Sequence, residues 1–306
     1  MLNILGKRYY FFAFSLLIII PGLIVTAFGL PLAIDFTGGS LLEVKFNSGT
    51  APQPADIVLL YNDLGVKDVQ VQTTSSDMRL IRSSFLDEQT RGQIITTMES
   101  RFSDTVTLQR FDSVGPTIGQ KVASRAAIAV AVAGLAVVLY IAIAFRKVPH
   151  AFRYGVCAII AMFHDMAIVI SLTAIGGRLF GWQVDALFLT ALLTVIGFSV
   201  QDKIVVFDRI RENSNIHRRL PFEKLVNHSI VQTLQRSINT QLMTVEFMLL
   251  ALALFGGVTL REFAVILLVG LLSGTYSSIF IAAPILVLWE NQEWKSWFGR
   301  GKEAAA

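Results

Sequence analysis

The chain has 306 residues, 54% hydrophobic and only 16% charged, with a mean hydropathy of +0.60 and 26 Lys/Arg against 22 Asp/Glu. A soluble domain carries about 25% charged residues, so this composition excludes a disordered chain and weighs against an ordinary soluble enzyme. The charges cluster in a few stretches and leave long runs nearly bare, which is the pattern of a polytopic membrane protein. The single cysteine, Cys157, excludes an internal disulfide and a cysteine-held zinc.

An apolar run of about 20 residues crosses a bilayer as a helix. The first such run extends from about Tyr9 to Ile34, follows Lys7-Arg8 and is interrupted by Pro21-Gly22. Its apolar core of about 25 residues exceeds the roughly 7–15 of a signal peptide, and no small-x-small cleavage site follows, so it is expected to be retained.

The segment up to residue 120 is different. Residues 31–120 carry seven Lys/Arg against eleven Asp/Glu and are long enough to fold. Ser40–Phe46 has strand composition. Pro54–Leu64 predicts a short helix, Asp68–Gln72 and Met78–Ser83 predict strands around a turn at Ser75-Ser76-Asp77, and Asp87–Phe102 has helical spacing with Asp87 as its N-cap. Thr105–Phe111 alternates as a strand. The order β-α-β-β-α-β is that of a ferredoxin-like fold. With no His, Cys or phosphate-binding glycine loop in this stretch, it is expected to bind or dock rather than catalyse.

Five further apolar runs follow, at about Val122–Phe145, Tyr154–Ile175, Asp185–Phe207, Ile238–Phe255 and Phe263–Trp289. The expected architecture is a polytopic α-helical membrane protein of six helices. Residues 1–34 hold the N-terminus and first helix, 35–120 an extracytoplasmic α+β domain, 121–289 helices two to six, and 290–306 a tail. Lys7, Arg8, Arg146, Lys147, Arg153, the run from Arg209 to Arg236, and Lys295, Arg300 and Lys302 would all lie on one side. Both termini are therefore expected to be cytoplasmic. Topology accounts for the basic loops, so no nucleic-acid partner is expected.

A charge at the bilayer centre costs about 2.5–3.5 kcal/mol on insertion scales, so the exceptions are informative. They are His164-Asp165 in the third run, Asp202-Lys203 in the fourth and Glu246 in the fifth. Ser199, Asp202, Val206 and Arg209 share one helical face, and Arg236, Asn239, Thr240 and Thr244 share another. Facing stripes would bring Asp202 near Arg236. Polar contacts of this kind serve either as interhelical glue or as a path for H⁺ or Na⁺. His164, Asp165, Lys203 and Asn239 are read either as relay residues or as helix-packing contacts. No zinc-protease, serine-hydrolase or P-loop motif occurs, so neither an enzyme nor a metal or cofactor is expected.

Gly197–Asn213, GFSVQDKIVVFDRIREN, resembles the signature of the SecF family. Ala33–Gly39, AIDFTGG, is similar to the sequence after the first helix of SecD and SecF. Val114–Gly119, Gln232–Thr240 and Phe255-Gly256-Gly257 also fit, in the right order. The resemblance implies the resistance-nodulation-division type of helix arrangement and a plasma-membrane location in a bacterium or archaeon. It implies SecD as partner in a pseudo-symmetric pair, contact with SecYEG, SecA, YajC and the translocating polypeptide, and protein export assisted by the proton-motive force. Asp202 and Arg236 match the family's ion-coupling aspartate and arginine. Asp35, Gly38 and Gly39 match its glycine-pair motif, expected to act as a hinge. Phe198 stands where the family has Tyr, and Lys203 where it has Thr or Ser; a neighbouring cation would favour the ionised form of Asp202, although its side chain points about 100° away on an ideal helix. Two other readings are a self-sufficient lipid or drug exporter, which would need a dimer, and a scaffold without ion coupling.

Overall fold

The computed structural model describes residues 3–146, 151–241 and 247–293. In chain order the elements are α1 (Arg8–Ala27), α2 (Ile34–Thr37), β1 (Gly39–Phe46), α3 (Pro54–Asp63), β2 (Gln70–Thr73), β3 (Met78–Ser83), α4 (Glu88–Phe102), β4 (Val106–Val114), α5 (Pro116–Phe145), α6 (Ala151–Phe180), α7 (Ala186–Ile216), α8 (Phe222–Gln241), α9 (Phe247–Phe255), α10 (Val258–Ser277) and α11 (Ala283–Glu290). A π-helical turn, Ser278–Ala282, joins α10 to α11. Two units result. One comprises Met1–Leu30, Val130–Trp182 and Leu187–Ala306; the other comprises Pro31–Ala129 and Gln183–Ala186.

The second unit is built on a four-stranded sheet of order β2-β3-β1-β4 with every pairing antiparallel. Strand alternation makes one face apolar. On β1, Leu42, Val44 and Phe46 are buried, and Leu42 stands between Ile81 of β3 and Phe111 of β4. Ile57, Leu60 and Tyr61 of α3 and Ile94 and Met98 of α4 complete the core. Each of these fully buried side chains contributes about 1.5–3 kcal/mol relative to exposure. Asp87 caps α4 as expected, its carboxylate accepting from Thr90 N at 2.8 Å. β4 carries an extra residue, Gln109, where the register shifts opposite Glu43 and Val44; a bulge of this kind bends an edge strand. Arg79 is buried on β3, and its guanidinium donates to Pro52 O (3.1 Å), Ser75 O (2.9 Å) and Ala51 O (3.0 Å), closing the loop before α3.

Among the described residues, five helices are long and apolar enough to cross a membrane: Leu5–Ala27, Pro116–Phe145, Ala151–Phe180, Ala186–Ile216 and Leu260–Glu290. The fifth expected span, Ile238–Phe255, contains residues 242–246, which lie outside the described residues together with Thr244 and Glu246. Its flanks are the end of α8 and all of α9.

The path of α1 and the ends of α1 and α7 differ from expectation. α1 runs unbroken through Pro21-Gly22, because a membrane helix can re-satisfy the carbonyl that proline leaves free; Thr26 Oγ1 donates to Gly22 O at 2.8 Å nearby. The same helix stops at Ala27 rather than Ile34, with Gly29 at φ +104° turning the chain. α7 continues to Ile216, nine residues past Phe207, because its polar C-terminal turns find partners on α8. Asn213 Nδ2 donates to Ser229 Oγ (2.8 Å) and Gln232 Oε1 (2.9 Å), and Arg209 Nε donates to Gln232 Oε1 (2.7 Å). Asp202 is therefore some fourteen residues, about 21 Å of helix, from the end of α7.

Candidate functional site

In the helical unit, α6, α7 and α10 meet at a charged cluster with almost no solvent exposure. Gly274 of α10 packs so closely that a Cβ there would lie 3.2 Å from Ser199 Cα of α7. Small residues permit this approach between membrane helices. It brings Ser199, Ser273 and Ser277 around Asp165 of α6.

Asp165 is 1% exposed and Lys203 is 0% exposed. Lys203 Nζ donates to Asp165 Oδ2 at 2.7 Å. The same oxygen accepts from Ser199 Oγ (2.6 Å) and Ser277 Oγ (2.6 Å). Oδ1 accepts from Ser273 Oγ (2.7 Å) and faces His164 Nδ1 at 3.1 Å. These donors fill the roughly four lone-pair positions of an ionised carboxylate. The ammonium is matched as well: its three N–H groups find Asp165 Oδ2, Ser199 O at 3.2 Å, and Ser199 Oγ. Since Oδ1 accepts, the hydrogen on His164 is assigned to Nδ1. Its Nε2 is buried without a hydrogen-bond partner among the described residues, and the ring stacks on Tyr276 at 6.1 Å between centroids. Tyr276 Oη donates to Phe11 O (2.9 Å) of α1 and accepts from Ser15 Oγ (3.3 Å).

Asp202 is buried one residue before Lys203 but faces elsewhere. Its Oδ2 accepts from Thr275 Oγ1 at 3.2 Å. Lys203 turns away from Asp202, because successive helical side chains diverge by about 100° and Asp165 holds the ammonium. Arg236 and Asn239 are exposed on α8, and Arg236 forms no ion pair with Asp202 among the described residues. The serines of α10 escaped the sequence reading, although Ser273-Gly274-Thr275-Tyr276-Ser277-Ser278 is a polar hexamer inside an apolar helix. A π turn directly after it is a further mark, since such turns concentrate at functional sites.

In the sheet-bearing unit, the glycine pair forms a tight joint. Gly38 (φ +76°) and Gly39 (φ +135°) adopt backbone that other residues avoid. A Cβ on Gly38 would lie 2.7 Å from Pro116 Cα, and one on Gly39 2.7 Å from Ser83 O. Asp35 Oδ2 accepts from Ala186 N at 3.1 Å, placing a carboxylate at the positive end of α7.

Five long apolar helices, a small antiparallel α+β unit and a buried ion pair between helices define a multi-pass membrane protein. The sequence matches the SecD/SecF protein export membrane protein C-terminal family over residues 94–292 and the SecD/SecF GG motif over residues 24–49. The chain belongs to the SecF branch of the SecD/SecF family. It is 72% identical, over the full length of both chains, to the protein translocase subunit SecF of Anaerolinea thermophila. It is 33% identical over 297 residues to the protein translocase subunit SecDF of Bacillus subtilis, covering 95% of this chain and 38% of that one. The crystal structure of SecDF from Thermus, described as a translocon-associated membrane protein, superposes with a TM-score of 0.82 at 33% identity, covering 95% of this chain and 39% of the other. The chain thus spans about two-fifths of the fused relatives.

Proposed function

We propose that this protein is the SecF half of a SecD–SecF pair in the plasma membrane, promoting protein export with energy from the proton-motive force. Fusion of the two halves in the Bacillus relative supports SecD as the partner. The proposed arrangement has six helices, with both termini cytoplasmic and the sheet-bearing unit outside as a ferredoxin-like domain. The pair works beside SecYEG and SecA on a translocating polypeptide, with YajC as a further associate. The strand order β2-β3-β1-β4 with a helix after β1 and after β3 favours the ferredoxin-like reading.

The observation that carries the coupling role is the division of labour between neighbouring residues. Lys203 is committed to Asp165, so among the described residues the hydrogen bond to Asp202 comes from a hydroxyl. A buried carboxylate without a cation binds a proton or recruits a cation from outside. Arg236, exposed on α8, supplies that cation when SecD packs against this face, and its long stem lets the charge reach inward. Cycling of Asp202 between protonated and paired states shifts helix packing, which the Gly38-Gly39 hinge passes to the outer domain. Export driven by proton-motive force, measured with SecD present, should fall at least tenfold in both Asp202→Asn and Arg236→Met, the equivalent of about 1.4 kcal/mol in the driven step. Wild-type rates in both would reduce the pair to packing.

A further inference from the structure

We propose that the cage around Lys203 Nζ is a binding site for a small monovalent cation, and that the lysine side chain fills it permanently as a tethered ligand. Every partner of the ammonium is an oxygen: Asp165 Oδ2 at 2.7 Å, Ser199 O at 3.2 Å, and Ser199 Oγ. Two more hydroxyls, Ser277 Oγ and Ser273 Oγ, stand on the same carboxylate at 2.6 and 2.7 Å. A carboxylate, hydroxyls and a backbone carbonyl are the donor set that hard cations take. A π turn begins directly after Ser277, at the end of the helix that supplies two of these hydroxyls.

The charge balance selects a monovalent ion. One carboxylate faces one ammonium, and both are fully buried. A divalent ion would leave an uncompensated positive charge where desolvation is costly. His164 completes the carboxylate from the other side through Nδ1 at 3.1 Å and brings no second anion. Asp202, the nearest further carboxylate along α7, turns to Thr275. The cage is therefore neutral only when it holds a single positive charge, and Lys203 provides it without drawing on dissolved salt. Removing the lysine head leaves an anionic oxygen cage that takes Na⁺ or a methylammonium ion. This inference concerns Asp165 and stands whether or not Asp202 couples export to ion flow.

The test is thermal unfolding of the purified full-length chain in NaCl, methylammonium chloride or choline chloride, whose cation is too large for the cage. Wild type should unfold at the same temperature in all three. Lys203→Ala should gain roughly 2–4 °C in NaCl or methylammonium chloride over choline chloride between about 1 mM and about 300 mM salt. Adding Asp165→Asn to Lys203→Ala should abolish that gain. A gain with methylammonium alone still supports the site, as a cage fitted to an ammonium. Coincident curves for Lys203→Ala in the three salts overturn the proposal. So do a cation-specific gain that persists in the double variant or occurs equally in wild type, and a Lys203→Ala chain that no salt restores to a folded state.

Discussion

At the scale of single residues, Asp202 and Lys203 are chain neighbours whose side chains leave α7 about 100° apart. That angle decides their roles. Lys203 enters a site where a carboxylate and a serine satisfy each of its hydrogens, and Asp202 is left against one threonine hydroxyl. A different logic governs the carboxylates of the sheet-bearing unit. Ser75 Oγ bonds Asp77, Thr90 caps onto Asp87, and Ser48 Oγ bonds Asp104. These bonds hold all three carboxyls below the usual carboxylate range. Folded values below the unfolded value of about 3.9 mean that the unfolded chain binds more protons in acid. Their stabilisation is complete above the unfolded value and is lost as pH falls through the folded ones. Protection of the amides in α4 and in the loop holding Ser48, measured as exchange relative to the intrinsic rate at each pH, should fall between about pH 4 and about pH 2. Asp87→Asn combined with Asp104→Asn should weaken that dependence, and an unchanged profile would show that these two bonds contribute nothing.

At the scale of elements, the joint between α2 and β1 is the most constrained. Gly38 and Gly39 combine positive φ with close approach to Pro116 and Ser83. The reverse contact holds as well: a Cβ on Gly119 of α5 would lie 2.6 Å from Gly38 N. The short helix carrying Asp35 and the first turn of α5 thus interlock through backbone, with no side chain between them. Valine at Gly39 suffers both penalties, a strained φ and a collision with Ser83 O where β1 begins its pairing with β3. Gly39→Val should insert in the membrane at normal levels yet export several-fold more slowly, about 1 kcal/mol or more in the driven step. Normal export in that variant, measured alongside membrane-fraction abundance, would remove the hinge role.

At the scale of the whole molecule, much of the surface of α1 and α5 is apolar: Leu17 is 72% exposed and Ile143 62%. Apolar surface of this extent needs lipid or a second set of helices. The lysine and arginine distribution predicts which side each loop faces. Reporters fused after Ser100 and after Arg219 should lie on opposite sides of the membrane; a common side would break the six-helix topology.

The local patterns were legible in the sequence because they depend on near neighbours. Strand composition placed β1, alternation placed β4, the Asp87 cap placed α4, and length and hydropathy marked the helices. The misplaced ends were those decided by distant partners. α7 runs on to Ile216 because Ser229 and Gln232 of α8 receive its polar side chains, and α1 crosses Pro21 because a membrane helix tolerates the break. The sequence alone named Asp165, Asp202, Lys203 and Arg236 as charges needing an explanation. Only the tertiary structure decided that Lys203 belongs to Asp165, across 38 residues of chain, and not to the carboxylate beside it. The physical reason is that a buried ammonium goes where all its hydrogens find oxygens, and those oxygens come from two helices, α6 and α7, that meet only when the chain is folded.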